Sequence, residues 1–294
     1  MITFKQFLSE SRTKVMDVHD ATIWMESHAS GYLKKGTFLY RGVAGGSKGG
    51  LTFGDASSGA PRTSLNTYNN YTLWMDNNPM FHGKPRRGNA FITTTSSDIA
   101  SIYGSVFIVV PADNAKTGIV GKSDMWDVTL SSLGYSILNL NEETADAFYH
   151  FDKGRPKTYE ELESALRSIT LDMIEENEDL EDSTNLATLM RSCHVNTLYG
   201  LWTDLVTPNL FKYTTGKDIN GKGEIWIDGE AVFIPLNDKY ISESDRFAVF
   251  AWAQDNFPQL AKELGKYWED EERIDPDTVS DKDTLTYTQK RKQK

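Results

Sequence analysis

The sequence predicts an α+β domain built on a mixed β-sheet, and three observations predict it. Short β-branched, apolar runs recur in the first half: TFLYRGV at 37–43, NAFITTT at 89–95 and SVFIVVP at 105–111. The middle, about 141–206, changes to helical spacing, with Leu162, Leu166, Ile169 and Met173 three and four residues apart. Near residue 223 the period drops to two, in GEIWI and then EAVFIP. The order helix, strand, helix, strand, helices, hairpin, with no internal repeat, is an α+β order.

Each element follows from local chemistry. Residues 16–33 read as a helix ended near Gly31, and residues 37–43 as a short strand. The glycine- and serine-rich stretch 44–60 has no hydrophobic period and reads as a loop. Residues 61–79 are a polar turn leading into a helix that Pro79 stops. SSDIASIYG is a short helix with Ser97 or Asp98 at its cap and Gly104 at its end. SVFIVVP, continuously apolar and closed by proline, is a buried strand. Asp228-Gly229, between two alternating runs, predicts a tight hairpin. Residues 244–268 form a last amphipathic helix with Phe247, Phe250, Ala251 and Leu260 inward. From Glu269 onward the chain is polar, and we read 269–294 as a disordered charged tail.

Charge and composition exclude several classes. At 294 residues the chain makes one large domain or two small ones, and no run of about 18 apolar residues suggests a membrane span. A net charge of −11 argues against a non-specific nucleic-acid binder, which needs clustered cations, though not against an enzyme acting on nucleic acid. One cysteine, Cys193, rules out an internal disulfide framework. The five histidines have no metal-ligand spacing, so no metal site is expected. The ten acids against one base in 160–182 read as a solvated face. GGSKG at 45–49 matches a nucleophile elbow but lacks its strand and helix, and GKDINGK at 216–222 resembles a phosphate loop but runs into a strand.

Three separated pieces remain: Tyr40-Arg41-Gly42, FITTTSSDIASIYG at 91–104 and GEIWIDGEAVFIP at 223–235. In this order they resemble the Arg–Ser/Thr-x-Ser/Thr–Glu pattern of ADP-ribosyltransferases, over about residues 37–235 with some 20 positions carrying the match. The resemblance implies an NAD-dependent mono-ADP-ribosyltransferase with a transferase-like sheet, an N-terminal helix, an inserted helical segment and a C-terminal helix. It implies NAD as substrate, with Arg41 and Gly42 at the pyrophosphate and Thr93, Thr94 and Thr95 bracing the nicotinamide pocket and the catalytic carboxylate. Such a carboxylate opposes the oxocarbenium character that develops at the ribose as the N-glycosidic bond breaks. Glu224 and Glu230 are both candidates. Glu224 is preferred because the family's catalytic strand is followed by another strand, whereas EAVFIP runs on toward a helix. The position two before Glu224 is Lys222, which departs from the Glu-x-Glu form associated with arginine modification and leaves the acceptor, protein or nucleic acid, open. Arg62, with Asn66, Asn69 and Tyr71, forms a polar-aromatic stretch that either contacts NAD or the acceptor or simply caps a turn.

The opening MITFKQFLSE has capping-box spacing at Thr3 and Gln6 and an apolar face of Phe4, Phe7 and Leu8. It resembles the N-terminal capsid-targeting peptides of internal head proteins in T-even-type tailed phages, and Leu8-Ser9-Glu10 resembles their prohead-protease site. That resemblance implies three segments: a targeting peptide at 1–10, a transferase-like domain at 11–268 with its helical insertion at about 141–206, and the tail. It implies a prohead scaffold and protease as partners, and a location in the virion head and then in the host cytoplasm. The competing expectations are an internal or structural virion protein with an inactive transferase-like fold, and a related enzyme that uses NAD to take phosphate from RNA.

Overall fold

The computed structural model describes residues 14–43, 50–58, 68–130, 134–177 and 183–268. The 1–10 peptide, GGSKG, Arg62 and the charged tail lie outside these residues.

Nine strands pair among the described residues: β1 (Lys14–Val15), β2 (Leu39–Val43), β3 (Thr52–Asp55), β4 (Phe91–Thr94), β5 (Ser105–Pro111), β6 (Lys116–Ile119), β7 (Lys212–Thr215), β8 (Glu224–Asp228) and β9 (Glu230–Pro235). Their order is β1-β3-β9-β5-β2-β4-β8-β6-β7. The α+β class holds, but the sheet is not mixed, because each of its pairings is antiparallel. Strands of like direction, such as β4 and β5, are separated by an intervening partner, β2. Short connections suffice for this arrangement, whereas neighbouring parallel strands need a long crossover.

The sheet has a weak point in the middle. Strands β2 and β5 pair over five positions, but β2 and β4 meet at one, Tyr40 opposite Thr94. The sheet therefore divides into halves, β1-β3-β9-β5-β2 and β4-β8-β6-β7. The Phe91 ring on β4 packs edge-on against Phe233 on β9, with centroids 5.0 Å apart, so the halves share a core.

This division overturns the Asp228-Gly229 hairpin. β8 and β9 are consecutive in sequence but belong to different halves and do not pair. Gly229, at φ +143°, carries the chain round the corner from one half to the other. An Asp-Gly pair signals a sharp reversal, but whether the next strand returns alongside the first depends on which edge is free. The partners of β8 are β4 and β6.

Alternation along β8 links two cores. Ile225 and Ile227 enter the core between the halves, which is closed by the helices Val18–His28, Glu243–Asn256 and Pro258–Trp268. Trp226 points the other way, into a second core with Trp74 of the helix Asn70–Asn77 and with Phe148, Leu162, Leu166 and Trp202 from the helical segment. Glu224 shares the parity of Trp226 and so the helical side of the strand.

Other boundaries moved. The loop expected over 44–60 contains β3, which owes its form to pairing with β9 rather than to local periodicity. β6 and β7 are likewise strands with no alternating apolar pattern. The first helix breaks at Ala29 and resumes over Ser30–Leu33. The short helix Ser97–Ser101 is capped by Ser96, whose Oγ accepts from Ile99 N–H, not by Ser97 or Asp98. The helix expected over 244–268 is two, interrupted at Phe257 before Pro258. Its inward residues in the first part are Val249, Trp252 and Ala253, while Phe247 and Ala251 are exposed. No helix among the described residues is long and apolar enough to cross a membrane.

Candidate functional site

One residue set from each sequence piece lies on consecutive strands of the sheet: Arg41 on β2, Thr93 and Thr94 on β4, Glu224 on β8, while the rest of the third piece forms β9 in the other half. Thr94 stands directly opposite Glu224 and Thr93 opposite Ile225.

Glu224 is held from all sides. Thr95 Oγ1 accepts from Gly223 N–H at 3.1 Å, and Thr95 N–H donates to the Gly223 carbonyl at 3.3 Å. On the other edge Glu224 N–H donates to the Lys122 carbonyl at 2.7 Å, and Val120 N–H donates to the Glu224 carbonyl at 3.0 Å. Gly223 has φ +104°, and a Cβ there would overlap the Lys122 carbonyl oxygen. Only glycine fits immediately before this glutamate.

The carboxylate is 5% exposed. Its Oε1 accepts from the Trp226 indole N–H at 2.5 Å, and Oε2 accepts from Met125 N–H at 3.1 Å. Met125 opens a 3-10 turn that Asp124 caps through Trp126 N–H. Arg87 Nε lies 3.6 Å from Oε1. Burial pushes the Glu224 carboxyl above the ordinary carboxylate range, and Asp124 adds to this, while Arg87 and the two donors oppose it.

Arg87 sits on the 3-10 turn Arg87–Asn89, and its guanidinium lies 5.9 Å from the Trp126 ring centroid. Asp76, on the helix Asn70–Asn77, fastens the turn: both its oxygens accept from Gly88 N–H, at 3.2 and 3.0 Å. A Cβ on Gly88 would collide with that carboxylate. Burial raises Asp76 to about 6, against the pull of Gly88 N–H, Arg86 and Arg87. Tyr71, from the same helix, is fully buried with its ring 5.9 Å from Trp126, and burial keeps its phenol neutral.

The threonines brace the strand from main chain to side chain. Thr93 Oγ1 donates to the Ile225 carbonyl at 2.8 Å, and Thr94 Oγ1 accepts from Ser96 N–H at 3.2 Å. Arg41 lies in the seam between the halves, where its Nη1 donates to the Ile92 carbonyl at 2.9 Å. Gly42 lets the helix Ser97–Ser101 approach β2, since a Cβ would overlap the Ala100 carbonyl oxygen. Glu230 is elsewhere: it opens β9 opposite Asp55, in the other half-sheet, with an exposed side chain.

Sequence reasoning missed Arg87, Trp226 and the Met125 N–H. Trp226 was discoverable, because two residues after Glu224 on a strand means the same face. Arg87 left only the faint signal of two adjacent cations before the threonine strand. Met125 contributes main chain alone, which side-chain motifs do not reveal. Comparison of the chain with family models, with curated proteins and with solved structures gives no match.

Proposed function

We propose that the chain is an NAD-dependent mono-ADP-ribosyltransferase with Glu224 as its catalytic carboxylate. The observation that carries this reading is lateral order. Arg41, Thr94 and Glu224, spread over more than 180 residues of chain, occupy neighbouring strands, with Thr94 opposite Glu224. In the reaction the bond between the ribose anomeric carbon and the nicotinamide nitrogen breaks, and its electron pair leaves with neutral nicotinamide. An acceptor nucleophile then forms the new bond to that carbon and loses its proton. Glu224 faces the cationic ribose and accepts from a ribose hydroxyl, an interaction that strengthens as charge develops. A carboxylate has about four acceptor positions, so the bonds from Trp226 and Met125 leave capacity for the substrate.

Incubation with NAD labelled in its adenylate half and a host lysate, with intact-mass detection of the product, tests the activity. Label transfer that vanishes in Glu224→Gln supports it, and full activity in that variant overturns it. The burial of Glu224 favours a second reading, an inactive transferase-like fold serving as a virion component. Failure of the chain to bind NAD would select it. The resemblance of the first ten residues to targeting peptides supports delivery from a phage head into the host cytoplasm, with protein from particles beginning at Ser11. Intact Met1 in particles removes that support without touching the NAD site.

A further inference from the structure

Arg87 is the least satisfied cation near Glu224. Its side chain is 16% exposed and its Nε is buried, yet among the described residues the guanidinium donates no hydrogen bond. The 3.6 Å approach to Glu224 is an ion pair without the geometry of a bond. A guanidinium carries five donors in a planar fork, and leaving the buried Nε–H without a hydrogen bond is costly. The turn that presents it is nevertheless built rigidly. Asp76 clamps Gly88 from one side, and the Trp126 face lies beneath the guanidinium. The same loop brings Lys84 over the Tyr213 ring at 4.7 Å, and Arg86 stands close enough to oppose the rise that burial imposes on the Asp228 carboxyl. Three cations in four residues thus sit on one loop, of which Arg87 reaches the candidate carboxylate, in a chain of net charge −11.

Arg41 differs in its setting. It is 9% exposed, sits in the seam between half-sheets and donates to the Ile92 carbonyl. That contact is structural, because it satisfies a strand carbonyl where the β2–β4 ladder has opened.

We propose that Arg87, rather than Arg41, is the oxyanion-binding residue of this site, and that its ligand is the pyrophosphate of a dinucleotide or nucleoside diphosphate. The Nε edge stays on Glu224 and the terminal nitrogens take the phosphate oxygens, the paired geometry for which arginine is suited. The identity of the ligand rests on the transferase reading, but the oxyanion site does not.

The test is calorimetric titration of the full chain with ADP-ribose, which has the pyrophosphate but no nicotinamide, and with inorganic pyrophosphate. Wild type binds both. Arg87→Gln weakens ADP-ribose about ten- to hundredfold, the loss expected for charge-assisted hydrogen bonds. Arg87→Lys, which keeps the charge and the pairing with Glu224, falls between them and serves if the glutamine variant does not fold. Absence of binding by wild type, or affinity within twofold of it in the folded Arg87 variants, overturns the proposal. Arg87-dependent binding without any NAD turnover leaves the oxyanion site standing and removes the transferase reading. Turnover with Arg87-independent binding does the reverse.

Discussion

Glu224 and Glu230 begin as near twins. Each follows a glycine at positive φ and opens a run of apolar residues, and only six positions separate them. The structure gives them opposite surroundings. Glu224 is buried between β4 and β6 with an indole, an amide and a guanidinium around its carboxylate. Glu230 is exposed at the start of β9, opposite Asp55. The difference teaches that a glutamate's chemistry here is set by lateral neighbours, and that the corner at Gly229 decides who those neighbours are. One residue of left-handed backbone separates a candidate catalytic group from a surface one.

The largest effect that separates the two is on turnover. We expect Glu224→Gln to lower the rate of ADP-ribose transfer by a factor of about 10² to 10³, the range for loss of one preorganised electrostatic partner. Glu230→Gln should stay within about twofold. Equal losses in both would break the distinction and point to a shared structural defect, which circular dichroism would reveal.

The glycines come next. Gly223→Ala forces a side chain onto a backbone at φ +104° and into the Lys122 carbonyl. We expect a loss of about 3 kcal/mol or more in urea unfolding, since backbone cannot step aside as a flexible side chain can. Gly229→Ala meets the Ala115 Cβ at 3.1 Å, a softer contact, although φ +143° still penalises it. A loss of about 1 to 3 kcal/mol is expected there. The reverse ranking would mean that the corner, not the glutamate's seat, is the tighter constraint.

Much of this framework was legible. The strands that carry Arg41, Thr93 with Thr94, and Glu224 were legible because β-branched and apolar residues are confined to short runs, and SVFIVVP is β5 to the residue. The preference for Glu224 over Glu230 was expressed as strand followed by strand. The structure adds a placement: Glu224 lies beside the threonine strand and Glu230 does not. The rest was hidden for definable reasons. KTGI and KYTT pair with each other without alternating polarity, so their strand state comes from the sheet and not from local propensity. The seam at Tyr40 and Thr94 is a tertiary event, invisible to any local window. Arg87 was missed because its approach to Glu224 is a tertiary contact, a property of surroundings and not of sequence.

A third comparison sets the carboxylate's partners against each other. Trp226→Phe keeps the ring in the second core but removes the indole donor from Glu224. The expected cost is about 1.5 to 3 kcal/mol, as for a hydrogen bond to a charged group. The Glu224 titration, followed by carboxyl carbon NMR, should also move further up, because a group that opposes burial has been lost. If the titration stays put, Arg87 and Met125 N–H are sufficient by themselves.

The smallest effect concerns the clamp behind Arg87. Asp76 titrates near 6 in the folded chain, raised from 3.8 by burial. The sign follows from which state holds the proton more tightly. Between those values the folded protein binds it and the unfolded chain releases it, so stability falls as pH rises through that window and levels off above it. The difference is on the order of 2 to 3 kcal/mol between pH 4 and pH 7 at most, and less where the carboxyl meets solvent. Asp76→Asn should flatten this segment of the urea-derived stability profile, because the amide oxygen still accepts from Gly88 N–H and has no charge to gain. Glu224→Gln should also lessen the fall of stability with rising pH, since burial raises that carboxyl too. An unaltered slope in Asp76→Asn would show that the Gly88 contact stabilises the charged form as well as burial destabilises it, and that the loop carrying Arg87 is anchored by charge and not by shape.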